Sequence, residues 1–67
     1  MKGIVKKFDV SKGYGFIVSE SEEKDIFFHY SQIQSSGFKT VNEGEEVDFE
    51  LVESERGKQA YQIYKKD

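Results

Sequence analysis

The chain has 67 residues, no cysteine, one histidine (His29), 15% aromatic residues and a formal net charge of −3. That length bounds it to one small domain, residues 1–67. The missing cysteines remove disulfides, thiolate metal sites and a cysteine nucleophile, and one histidine does not make a zinc site. No apolar run approaches the roughly 20 residues of a membrane-spanning helix, and "MKGIVKKFDV" lacks the apolar core of a secretory signal. A small cytoplasmic protein without a metal or other cofactor is the expectation.

Charge is unevenly spread. Residues 1–17 carry four lysines against one aspartate, whereas residues 41–56 carry seven acids against one arginine. A local basic surface is therefore compatible with an acidic whole.

In chain order, "KGIVKKFDV" is rich in β-branched and aromatic residues and reads as a first strand ending in the Asp9–Gly13 turn. "YGFIVS" is a second strand, the polar "ESEEK" a turn, and "DIFFHY" a short third strand. "SQIQSSGFKT" is too polar and glycine-punctuated for a strand, so it reads as a loop with one helical turn at Ser31–Ile33. Long loops in small domains tend to be binding loops. "EVDFELVE" alternates, with Val47, Phe49 and Leu51 on one face and Asp48 and Glu50 on the other. After a turn around Gly57, "QAYQIYK" is a fifth strand, with Tyr61 and Ile63 on one face and Ala60, Gln62 and Tyr64 on the other. Five short strands without a convincing helix predict an all-β fold, a small five-stranded antiparallel barrel whose closure removes sheet edges.

Val5, Ile17, Ile26, Phe28, Ile33, Val47, Phe49, Leu51 and Ile63 suffice for the barrel interior. Phe8, Tyr14, Phe16, Phe27, Tyr30 and Phe38 are then left outside it. Strand alternation sets Tyr14 and Phe16 on one face, and Phe27 with His29 on one face of the next strand. If those strands are neighbours, the rows lie side by side on an outer surface, and a large exposed apolar patch marks a binding site. A single Phe or Tyr in a strand is more often packing than platform; six on positions the core does not need reverse that expectation. Lys6, Lys7, Lys12 and Lys39 flank these aromatics. Stacking rings beside cations suit unpaired bases and their phosphates. Gly13 and Gly15 fall on the inward face, where side chains would crowd the tight turn or the crossing strand; Gly15 also lowers the wall between its neighbours so that a base reaches both rings, while Gly13 reads equally well as turn punctuation.

These residues resemble a family. "KGYGFI" looks like the first ribonucleoprotein-type motif of bacterial cold-shock proteins, and "DIFFHYS" is similar to their second. "GFKTVNEGEEVDFE" resembles the loop and fourth strand that follow. The resemblance implies an oligonucleotide/oligosaccharide-binding (OB) barrel that binds single-stranded RNA and DNA, with RNA chaperones among its members and a preference for pyrimidine-rich sequence. It also implies base stacking by Tyr14, Phe16, Phe27, His29 and Tyr30, flanking roles for Phe8 and Lys12, a closing role for Phe38, and polar contacts from Asp25 and Arg56. The chain departs from the family in three places. Lys7 stands where tryptophan is common, and the chain has no tryptophan. Weaker, more salt-dependent binding is expected from that. The "SESEEK" turn is a residue longer than usual, and Lys58 replaces a frequent proline, at some loss of rigidity.

An enzyme is the first alternative, but no nucleophile–base pair or metal cluster is apparent and no small-molecule substrate is expected. A protein-interaction barrel using the same patch, or another OB-fold translation factor, is the second. An RNA-recognition α/β domain shares a similar motif but needs two helices for which this chain has no room. A monomer is the simplest expectation.

Overall fold

The structure, a computed structural model, describes residues 1–34, 41–55 and 57–65. Five strands run β1 Lys2–Asp9, β2 Tyr14–Ser19, β3 Glu22–His29, β4 Glu46–Ser54 and β5 Gly57–Lys65, with one 3₁₀ turn, η1 Tyr30–Gln32, between β3 and β4. They close into a barrel in the order β1-β2-β3-β5-β4. Four of its seams are antiparallel, and the closing seam between β3 and β5 is parallel, with Phe27 opposite Gln59. An isolated parallel bridge from Ile33 to Ile63 continues that seam past η1.

The core is built from the inward alternation of every strand. Val5, Ile17, Ile26, Phe28, Ile33, Val47, Phe49 and Ile63 are buried as the sequence implies, and Leu51 packs half-buried against them. Val41 and Ala60 complete the cluster, and neither belongs to the interior read from the sequence.

Departures from strict alternation have one cause, extra residues in single strands. Val5 pairs with Ile17 but Lys7 with Phe16, so Lys6 is an additional residue in β1. The bulge turns the remainder of β1 over, because a one-residue slip exchanges the two faces. Phe8, expected outside the core, instead packs half-buried against it, its ring stacked on Phe28 at 5.7 Å and 15°. In β5, Asp48 pairs with Tyr64 and Glu50 with Tyr61, three residues of β5 spanning two of β4. Gln62, with φ 49°, marks that bulge. Ala60 and Ile63 are therefore both buried while Tyr61 faces outward, reversing the expected pairing of faces.

The expected "ESEEK" turn is also mostly strand, since β3 begins at Glu22. The register of β2 with β3 shifts there: Ile17 faces Ile26, yet Ser19 faces Glu22. Two steps along β2 thus span four along β3, an irregularity at the start of β3. Lys58 forms ion pairs with Glu22 of β3 and, at 3.9 Å, with Glu53 of β4. The first of these ties β5 to β3 across the parallel seam.

Candidate nucleic-acid interface

The β1–β2 turn sets the position of the first aromatic row. The Asp9 carboxylate accepts a hydrogen bond from the Ser11 hydroxyl at 2.8 Å and from the Lys12 backbone N–H at 3.1 Å. The Gly13 N–H closes the turn on the Asp9 carbonyl at 2.8 Å. These bonds favour the charged carboxylate and hold the Asp9 pKa below its ordinary value, the Ser11 bond contributing most. Gly13 then adopts φ 76°, a conformation suited to glycine. A Cβ there would stand 2.7 Å from the Tyr30 ring, and the Gly13 carbonyl accepts the Tyr30 N–H at 2.8 Å. The turn thus docks Tyr30 beside β2.

Gly15 is explained by crowding on the inward face, as its sequence position implies. A Cβ on it would collide with the Lys7 carbonyl oxygen and stand 2.8 Å from the Phe28 ring. Close approach of β1 and the buried Phe28 requires the glycine.

Outward from this packing, β2 and β3 place Tyr14 opposite His29 and Phe16 opposite Phe27. The rings of Tyr14 and Phe27 lie 5.6 Å apart at 37°, those of Phe16 and Phe27 6.0 Å apart at 70°, and those of Tyr14 and Phe16 6.3 Å apart at 85°. Edge-to-face contacts of this kind satisfy the ring quadrupoles. The surface is therefore corrugated: Phe16 stands on edge to both neighbours. All three rings are half-buried, each held by its neighbours with part of its surface still facing solvent.

His29 and Tyr30 extend the row, with ring centroids 4.7 Å apart. His29 caps η1: its Nδ1 accepts the Ser31 N–H at 3.2 Å and lies 2.8 Å from the Ser31 hydroxyl. In the neutral ring the proton then sits on Nε2, which becomes the hydrogen-bond donor. Both rings are exposed, Tyr30 at 44%.

Cations border the row on the β1 side. Lys7 is exposed directly opposite Phe16. Lys12 is exposed on the turn. Lys6, on the bulge, forms an ion pair with Asp25 at 2.9 Å, so these two expected site residues are engaged with each other. Of the sequence-selected residues, the structure brings Lys7, Tyr14, Phe16, Phe27, His29 and Tyr30 onto one continuous surface with Lys6, Asp25 and Lys12 at its edge. It turns Phe8 toward Phe28. Phe38, Lys39 and Arg56 lie outside the described residues.

Sequence reading passed over two contributors. Gln59 lies across the seam from Phe27; nothing in its local sequence signals this, because the contact is made by a non-local parallel pairing. Asp9 anchors the turn, and its signal was legible in "DVSKG", since aspartate near the start of a glycine-containing turn commonly bonds its own backbone.

Comparison with known proteins agrees with this arrangement. The "'Cold-shock' DNA-binding domain" family matches residues 1–66. Cold shock-like protein CspE of Buchnera aphidicola subsp. Acyrthosiphon pisum is 51% identical over 63 residues, covering 94% of this chain and 91% of the relative. CspE of Escherichia coli (strain K12) is 48% identical over the same shares. The major cold shock protein of Streptococcus pyogenes serotype M6 is 50% identical over 64 residues, covering 96% of this chain and 94% of that protein. Among solved structures, drosophila Unr CSD456 superimposes with a TM-score of 0.83 at 21% identity, over 98% of this chain and 26% of that one, a likeness of fold that matches the OB barrel. With the family pattern spanning nearly every residue, the chain belongs to the cold-shock domain family of nucleic-acid-binding proteins.

Proposed function

We propose that this protein binds single-stranded RNA and DNA on the outer face of β2 and β3, as a cytoplasmic monomer of one domain, residues 1–67. The observation that carries the reading is the cluster of Tyr14, Phe16 and Phe27, half-exposed on neighbouring strands, with Lys7 opposite Phe16. Rings that face solvent accept the π-face of an unpaired base, each stack contributing about 1–3 kcal/mol by alanine substitution. A duplex hides those faces, so single strands are preferred. The corrugated packing supports separate stacking positions, suited to small bases that turn independently, which agrees with a preference for pyrimidine-rich sequence. Asp25, Arg56 and the Nε2 of His29 supply polar groups for bases or backbone, and Lys6, Lys7, Lys12 and Lys39 are assigned to the phosphates, Lys6 and Asp25 exchanging their mutual ion pair for the ligand. Holding bases apart from their partners is the act of an RNA chaperone.

Tyrosine fluorescence titrated with a single-stranded oligopyrimidine and with a duplex at several salt concentrations tests this. Quenching by the single strand and a weak response to duplex are expected; no response to any single strand would overturn it. Lys7→Gln should reduce the slope of log affinity against log salt by about 0.7, the share of one phosphate contact on a single strand. An unchanged slope would remove Lys7 from the phosphate path.

A further inference from the structure

The outer face does not stop at β3. Phe27 and Gln59 are partners across the parallel seam, and Tyr61 is two residues further along β5, with the buried Ala60 between them. Gln59 and Tyr61 therefore share the outward face, separated by roughly 7 Å of strand rise. Tyr61 is 37% exposed.

Its outward direction is produced by an unusual piece of backbone. Gln62 takes φ 49°, a left-handed conformation that non-glycine residues seldom adopt and that stores strain. Regular alternation would bury either Ala60 or Ile63; the bulge buries both and leaves Tyr61 on the surface. Bulges commonly re-aim a side chain beside a functional site. The bulge is also tied to the known end of the aromatic row. The Gln62 N–H donates to Gln32 Oε1 at 3.3 Å, and the Gln34 N–H to the Ile63 carbonyl at 2.7 Å. Gln32 belongs to η1, the turn that begins at Tyr30. Tyr61 is thereby held at the end of the surface where His29 and Tyr30 lie.

On its far side Tyr61 faces Glu50 of β4, and Asp48 and Glu46 continue that outward row. Carboxylates repel phosphates, so a bound strand cannot run on across β4.

We infer that Tyr61 is a further stacking position for the same single strand, the last on its path, where the strand crosses the β3–β5 seam and ends against the acids of β4. This rests on the reading that the β2–β3 face binds single strands. The test is a ladder of oligothymidylates of increasing length, titrated against wild type, Tyr61→Ala, Tyr61→Phe and Phe16→Ala. Tyr61→Ala should weaken the longer oligomers by roughly 5- to 150-fold and leave the shortest ones unchanged. Tyr61→Phe, which keeps the ring, should bind as wild type. If Phe16→Ala weakens binding while Tyr61→Ala binds every length as wild type, or loses equally at all lengths, the inference fails and the underlying reading stands. If wild type binds none of the ladder, both fail. Independently of how the variants fold, ultraviolet cross-linking of wild type to a long 4-thiothymidine oligomer should yield an adduct on Tyr61. Adducts confined to β1, β2 and β3 would overturn the inference.

Discussion

The outward faces of β2–β3 and of β4 belong to the same barrel and obey the same alternation, yet they carry opposite chemistry. Both strand sets send apolar side chains inward, Ile17, Ile26 and Phe28 from one and Val47 and Phe49 from the other, into one shared cluster. Outward, β2 and β3 present Tyr14, Phe16, Phe27 and His29, whereas β4 presents Glu46, Asp48 and Glu50. Inward positions are interchangeable in character because the core asks only for volume and apolarity. Outward positions are constrained less, by cross-strand neighbours and not by a shared core, so the two faces are free to differ in chemistry. A face of acids stays hydrated and repels polyanions; a face of half-exposed rings bordered by lysines is the one proposed above to take up a single strand.

Adjacent residues break the comparison most sharply. Phe27 and Phe28 are neighbours in sequence and in residue type, but Phe28 is 1% exposed in the core. Phe28→Ala should destabilise the fold by about 3–5 kcal/mol, a large part of what a domain of this size possesses. Chemical denaturation should show a collapsed midpoint, with binding lost as the fold is lost. Phe27→Ala, or Phe16→Ala, should instead weaken oligonucleotide binding by about 1–3 kcal/mol with a much smaller change in midpoint. Glu50→Gln, in the acidic row of β4, should move the midpoint by no more than about 0.5 kcal/mol and leave affinity for short oligomers as it was. If Phe27→Ala unfolds the protein as Phe28→Ala does, the division into an inward and an outward set is wrong.

Much of this division was legible in the sequence. Period-two alternation located the five strands, and with Ile33 from the loop after β3 the sequence reading named eight of the ten buried core residues among those described, because a half-buried strand must alternate. It also put Tyr14, Phe16, Phe27 and His29 on one surface, since consecutive strands joined by a tight turn pair as neighbours. Alternation failed where a single extra residue interrupts it, at Lys6 and Gln62, and each bulge exchanged the expected faces on one side of it: Phe8 turned in, Tyr61 turned out. A bulge has no reliable local sequence signature, because it is imposed by the register of the partner strand. The roles of Gln59 and Lys58 were hidden for the same reason, both depending on the non-local β3–β5 seam.

The smallest expected effect concerns pH, and it separates the two sides of the barrel at opposite ends of the scale. Asp9 braces the turn beneath the aromatic row, and its pKa lies below the ordinary 3.8 because Ser11 and the Lys12 N–H bond to the carboxylate. A depressed pKa means the folded state binds the proton less readily than the unfolded chain. Its contribution to stability is therefore present above about pH 4 and lost as pH falls through the folded value. Lys58 braces the side where β5 meets Glu22 and Glu53, and its pKa lies above the ordinary 10.5, the Glu22 hydrogen bond being the main cause. The sign reverses: its contribution is present below that value and lost as pH rises through the raised one. Both groups are at the surface, where solvent screens them, so each effect is small. Thermal melts of Asp9→Asn and Lys58→Met against wild type should show a gap that narrows at the acid end alone for the first, whereas for the second it narrows at the alkaline end as well as in acid strong enough to protonate Glu22 and Glu53. A gap for Asp9→Asn that stays constant down to pH values where carboxylates are protonated would mean the turn is held by the geometry of the side chain, not by its charge.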